Sequence, residues 1–282
     1  MSQSVNVADL FQTAGQDGLL SPGSVHALTT DPNLGGKIQR ALGGPMTAVG
    51  SDEVILVGMM PDDSGSISGA GNTQAIRDGY NLTKKAFMDS KQKDNVYIHG
   101  RLLNGSIVNP FMLLDTAPDL DNKNYDESYF SGTPLYDASF EFIGSIVAES
   151  QRYRNELNIT ARGICLIISD GMDEHSRKHR NPAALKQLIL DLNASEDFVV
   201  AGMGVQNSSI NFYDIFGKAM GIEDKWILTP KSDPHEIRQA FQLFSLTAVR
   251  MSQSGALFSA TKAGGFGAPG SQAAFGGFGT NP

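Results

Sequence analysis

Val54-Ile55-Leu56-Val57-Gly58-Met59-Met60-Pro61-Asp62-Asp63-Ser64-Gly65-Ser66-Ile67-Ser68 is an apolar run of strand length that stops abruptly at acids, hydroxyls and glycine. An unbroken apolar run, rather than an alternating one, suits a strand buried on both faces of a parallel sheet. Beyond it, Asp62, Ser64 and Ser66 stand at alternate positions. A carboxylate and two hydroxyls are hard oxygen donors. Mg²⁺ takes octahedral oxygen coordination at about 2.0–2.1 Å and keeps several waters. Gly65 removes side-chain bulk, so the loop can curl around one point.

Outward from this stretch, strand and helix signals alternate. Residues 72–90 predict a helix with Ile76, Tyr80 and Phe87 on one face. Residues 95–103 and 106–114 read as strands around Asn104-Gly105, a two-residue hairpin signal. Residues 115–132 are acidic and polar, but they lack the glycine and glutamate of a calcium loop. They read as a solvated loop near the rim of the Asp62 site. Thr133-Pro134 has the form of an N-cap and first-turn proline, opening a helix that reaches about Arg154. Leu135, Ala138, Phe142 and Ile146 give that helix its buried stripe.

Strand 163–168 follows, ending in Ser169-Asp170-Gly171. Helix 182–192, strand 198–205, a short helix over 211–220, a short strand over 225–229 and helix 234–250 complete the pattern. Such alternation predicts an α/β, doubly wound, mostly parallel sheet with right-handed crossovers. Asp62 and Asp170 both fall just past the carboxyl ends of predicted strands, where open α/β sheets place their ligand crevice.

The sequence Asp62-x-Ser64-x-Ser66 resembles the D-x-S-x-S signature of von Willebrand factor type A (vWA) domains, the core of their metal-ion-dependent adhesion site (MIDAS). The family expects a Thr before a helix and an Asp after a strand further on, and Thr133 and Asp170 match both. The resemblance covers roughly residues 50–250. It implies a Rossmann-like sheet with one antiparallel edge strand, a place the 95–114 hairpin fits, and helices on both faces. It further implies that Ser64, Ser66 and Thr133 ligate Mg²⁺ (Mn²⁺ being the alternative ion) through hydroxyls, with Asp62 and Asp170 acting largely through bound waters. An open metal position would then accept an Asp or Glu carboxylate from a partner protein. Intracellular relatives in prokaryotes often serve as adaptors for MoxR-type AAA+ ATPases, so that partner is a further implication. Two departures stand out. Asp63 replaces the usual small or neutral residue, to help hold metal or to point to solvent, and Pro61 stiffens the strand exit. Asp173 and Glu174 need no special role.

Composition bounds the alternatives. The 282 residues can hold one large domain plus extensions, and 40% hydrophobic with 18% charged residues describes a soluble globular chain. A net charge of −8 argues against nucleic acid and anionic membranes as partners. The single Cys165 excludes an internal disulfide and reads as a small core residue. Met1-Ser2-Gln3-Ser4 lacks the features of a secretory signal, and no run reaches the ~18 apolar residues of a membrane span. The expected location is cytoplasmic.

Residues 1–50 read as an N-terminal extension with short helices over 7–13, 24–30 and 34–42, residues 51–250 as the vWA-like domain, and residues 251–282 as a Gly/Phe-rich disordered tail outside the core. Gly35-Gly36-Lys37 lacks the first glycine and the hydroxyl of a phosphate loop. His26, His99, His175, His179 and His235 show no paired metal-ligand spacing. The expected function is a non-enzymatic, Mg²⁺-dependent protein-interaction module. One alternative is a Mg²⁺-dependent phosphoryl-transfer enzyme with a strand-end aspartate as nucleophile, against which Ser64 stands where a second acid is needed. The other is a structural component displayed through the Gly/Phe tail.

Overall fold

The structure, a computed structural model, describes residues 6–44, 51–125, 132–206 and 210–268. Its centre is a six-stranded sheet in the order β3-β2-β1-β4-β5-β6. The strands are β1 (Glu53–Met60), β2 (Val96–Arg101), β3 (Ile107–Leu113), β4 (Thr160–Ser169), β5 (Phe198–Gly204) and β6 (Ile227–Leu228). Every pairing is parallel except β2 with β3, which puts the antiparallel strand at an edge as expected. The apolar runs of β1 and β5 are buried without interruption, the pattern of strands covered on both faces.

Three helices precede the sheet: α1 (Val7–Gln16), α2 (Pro22–Thr30) and α3 (Pro32–Ala41). Asn6, Ser21 and Asp31 cap them through their side chains, and Pro22 and Pro32 occupy first-turn positions. Next come α4 (Gly65–Gly69), α5 (Thr73–Met88), α6 (Leu135–Leu157), α7 (Ala183–Ala194), α8 (Pro234–Ser252) and α9 (Gly255–Gly264). One face of the sheet carries α6, against which α1 and α3 pack. As a result α6 is buried almost continuously from Leu135 to Tyr153, including Ser139, Glu141 and Glu149. The other face carries α5 and α8 in mutual contact. At Gly58 of β1 a Cβ would stand 2.6 Å from Ile146 and 2.7 Å from Phe142, so α6 approaches the sheet only because that position has no side chain.

Some expectations need correction. The β2–β3 hairpin is not a two-residue turn: Leu102 N–H donates to Ser106 O and Gly105 N–H to Leu102 O, leaving three residues in the loop. Gly105 takes φ 99°, which relieves the longer turn. The short helix over 211–220 is a π-helical turn, Tyr213–Ala219. The disordered tail expected from residue 251 is overturned over its first part. α8 runs to Ser252, and α9 folds back on it, capped by the Ser254 side chain. Phe258 is fully buried, and Phe266 meets Trp226 edge-on with ring centroids 5.0 Å apart. Lys262 donates to the carbonyls of Leu192 (3.3 Å) and Ser195, and Arg162 lies 5.6 Å from the Phe258 ring. Glycines without an apolar period concealed a helix whose stability comes from docking rather than from propensity. Residues 269–282, with the second Gly-Gly-Phe-Gly, lie outside the described residues.

Candidate metal centre

β1 is the point where the chain's direction of travel across the sheet reverses. It is flanked by β2, reached through α5, and by β4, reached through α6 on the opposite face. A crevice opens at the carboxyl ends of strands at such a point. Met60 pairs with Ile167, so the loops after β1 and β4 leave side by side. They carry Asp62 and Asp170.

Asp62 is fully buried. Its Oδ1 accepts the Ser64 N–H at 2.8 Å and its Oδ2 the Ser169 hydroxyl at 2.7 Å. Ser64 and Ser66 hydroxyls are 2.9 Å apart, and Ser66 donates to Asp170 Oδ1 at 2.7 Å. Asp62, Ser64, Ser66 and Asp170 therefore form one hydrogen-bonded cluster. Thr133 lies beside it, since a Cβ on Gly171 would stand 3.9 Å from the Thr133 hydroxyl oxygen. Burial raises the Asp62 carboxyl, against hydrogen bonds from Ser64 and Ser169 that lower it. Burial and then the charge of Asp62 push Asp170 up to about 6, while Ser66 opposes. Two carboxylates forced together away from water favour a positive charge between them.

Thr133 does not cap α6. The cap position falls on Pro134, which makes no side-chain cap. Instead the loop after β4 caps the helix from outside: Asp173 Oδ1 accepts the Tyr136 N–H at 3.0 Å and Ser176 Oγ the Asp137 N–H at 2.9 Å. Asp173, expected to have no special role, thus fixes the helix that follows Thr133. The Thr133 backbone is clamped as well, its N–H reaching His175 Nδ1 at 3.0 Å and its carbonyl accepting from Glu174 and His175. With backbone and helix both held from elsewhere, the hydroxyl is not needed for capping.

Asp63 neither points to solvent nor turns to the metal loop. It is buried, and both oxygens accept from Asn104 at the hairpin tip, Oδ1 from the backbone N–H at 3.0 Å and Oδ2 from the side-chain amide. Burial, with a smaller push from Asp62, moves its carboxyl up to about 6. Leu103 N–H also donates to Pro61 O at 3.1 Å, so the hairpin grips the loop at two points. Asn104→Ala should leave one oxygen of a buried carboxyl unsatisfied and cost about 1–3 kcal/mol, read by urea unfolding. An unchanged midpoint would mean that water replaces the amide.

Sequence reading missed Ser169 and Tyr125. Ser169 directly precedes Asp170 and holds Asp62. The Tyr125 hydroxyl donates to the Asp62 carbonyl at 2.5 Å, which ties the acidic loop to the site. An aromatic residue within an acidic segment is the signal the sequence offers for it. Asp126 and Glu127 of that loop lie outside the described residues.

The donor set is oxygen throughout. Among the described residues no three His, Cys, Asp or Glu side chains form a metal-binding group, so a cation here would draw on the hydroxyls. That chemistry fits a hard divalent ion. His99 offers no alternative. It is buried between Phe111 and Phe142, and burial lowers it to about 3.

No family model and no curated protein matches the chain. Among solved structures, the pilus adhesin SpaC from Lactobacillus rhamnosus GG in its open conformation is similar at TM-score 0.52 and 11% identity, over 74% of this chain and 31% of that one. Proximal thread matrix protein 1 from the mussel byssus, with a zinc-occupied MIDAS motif, aligns at TM-score 0.45 and 15% identity, over 70% of this chain and 46% of that one. A second crystal form gives TM-score 0.45 and 13% identity, over 69% and 48%. The chain spans less than half the length of each. No helix among the described residues is long and apolar enough to cross a membrane. At these identities the likeness is one of architecture alone, and with the strand order and the antiparallel edge it makes the fold α/β, doubly wound and mostly parallel.

Proposed function

We propose that the chain is a protein-interaction module that binds Mg²⁺ through Ser64, Ser66 and Thr133, with Asp62 and Asp170 holding metal-bound waters, and that it does no catalysis. The observation that carries the reading is the hydrogen-bonded cluster of Asp62, Ser64, Ser66 and Asp170 beyond β1 and β4. Hydroxyls already turned toward one another and toward Asp170 need little rearrangement to converge on a cation. Few direct anionic donors would leave the ion electrophilic, able to take an Asp or Glu carboxylate from a partner. Ser169 and Asn104 hold the two adjacent acids, Asp62 and Asp63, so the loop is ordered before the partner arrives.

Calorimetry with Mg²⁺, Mn²⁺ and Zn²⁺ tests the reading. One site is expected, weakened at least tenfold in Asp62→Ala and in Asp170→Ala, with both variants still folded. Equal metal affinity in wild type and the double variant would remove it. A phosphate-ester assay on the same samples addresses the enzyme alternative, for which turnover lost in Asp62→Asn would be the mark. The family resemblance extends the proposal to a cytoplasmic adaptor for a MoxR-type AAA+ ATPase. That extension predicts co-purification of such an ATPase in Mg²⁺ and its release by chelator.

A further inference from the structure

The loop between β4 and α7 carries Arg177, Lys178 and Arg180 in a chain whose net charge is −8. It is not slack. The Asp137 carboxylate, in the first turn of α6, accepts the backbone N–H groups of Arg177 (2.8 Å), Lys178 (3.2 Å) and His179 (2.7 Å). The His179 ring stacks on Phe140 at 4.2 Å, and Glu174 and His175 donate to the Thr133 carbonyl. Backbone held in this way fixes where the side chains leave, on a loop tied at Glu174 and His175 to the Thr133 carbonyl.

Arginines 101, 152, 154, 162 and 238 each form an ion pair with a carboxylate. Lys178 reaches Asp31. Arg177 and Arg180, like Arg40 on α3, are exposed and form no ion pair among the described residues, although acids outnumber bases in the chain. Met172, in the same loop and two residues past Asp170, is 55% exposed. Arg180 Nε–H donates to the Ser176 carbonyl at 3.2 Å, which leaves the rest of its guanidinium fork open. Guanidinium groups without a carboxylate partner and an exposed thioether, on a loop whose backbone is already held, bind without a backbone-ordering cost on association. Guanidinium recognises carboxylate by two parallel hydrogen bonds. The methionine favours a protein segment over a polyphosphate, because it contributes by removing apolar surface from water.

We infer that the β4–α7 loop is a second half of the recognition surface, and that its partner is an acidic protein segment bearing an apolar side chain. One carboxylate of that segment goes to the metal loop, and others go to Arg177 and Arg180. The inference rests on the metal-dependent reading above for the first of these contacts only.

The test uses the full chain with Mg²⁺ and a fluorescein-labelled peptide of alternating glutamate and leucine, read by anisotropy. Wild type should bind and should weaken as NaCl rises from about 50 to about 300 mM, since exposed charge contacts are screened. Arg177→Glu/Arg180→Glu should lose at least tenfold in affinity and flatten the salt dependence. Met172→Ser should weaken the glutamate–leucine peptide more than a peptide of glutamate and serine. Equal binding by wild type and the arginine variant overturns the inference and leaves the metal reading standing. Peptide binding that survives chelator yet is lost in the arginine variant supports the inference and tells against the metal reading. No binding by wild type, or equally tight binding of single-stranded DNA or anionic vesicles through the same arginines, overturns it.

Discussion

Ending the chain after Gln253 should lower its melting temperature by about 10–20 °C. Such a truncation removes Phe258 and Phe266 from the core, each worth about 1.5–3 kcal/mol of burial. It also removes the Lys262 contacts to two carbonyls near the end of α7 and uncovers Trp226 and Arg162. Summed, these losses exceed several kcal/mol, and a chain of this size loses about 2–4 °C per kcal/mol. The comparator ends after Ala268, which keeps α9 and Phe266. Thermal unfolding followed by circular dichroism separates the two, since only the shorter chain should melt early. If both melt with the full chain, α9 contributes nothing to the fold, and its buried phenylalanines would have to be replaced by other packing.

The sheet was legible because its strands are buried on both faces. Val54 to Met60 and the strand ending at Ser169 read as apolar runs whatever surrounds them. The site was legible for a related reason: oxygen donors placed just after such runs fall at the crevice. What stayed hidden depends on contacts distant in sequence. Nothing near Asp63 tells that Asn104 will take both its oxygens, and nothing near Thr133 tells that Asp173 and Ser176 will cap the helix in its place. α9 is the extreme case. Ser254 caps it locally, yet its partners are Arg162 and Leu192, far off in the sequence, so composition pointed to disorder.

The same dependence on distant contacts explains why α6 carries buried acids. Glu141 is 8% exposed and bridges Arg101 of β2 to Lys37 of α3. Burial lowers the Arg101 guanidinium, and the charge of Glu141 opposes that shift. The Arg101 side chain is only 3% exposed and its Nε has no partner among the described residues, so Glu141 is what makes the charge tolerable there. Glu141→Ala should therefore cost about 3–5 kcal/mol, the usual penalty for stranding a buried charge. At about 2–4 °C per kcal/mol this is a fall of roughly 6–20 °C. The loss should not be the worth of the pair. Replacing both members by apolar side chains of similar size, Arg101→Met with Glu141→Leu, should recover most of the stability, because desolvation of two ions offsets much of their attraction. Lys37 loses its partner in either variant, but it is 40% exposed and can turn to water. A double-mutant cycle in urea decides the matter. If the double variant is as unstable as Glu141→Ala, then α3, α6 and β2 need the ionic bridge for their mutual placement. If it recovers, apolar packing alone holds the N-terminal helices on the sheet, and the bridge sets only which polar groups α6 can bury.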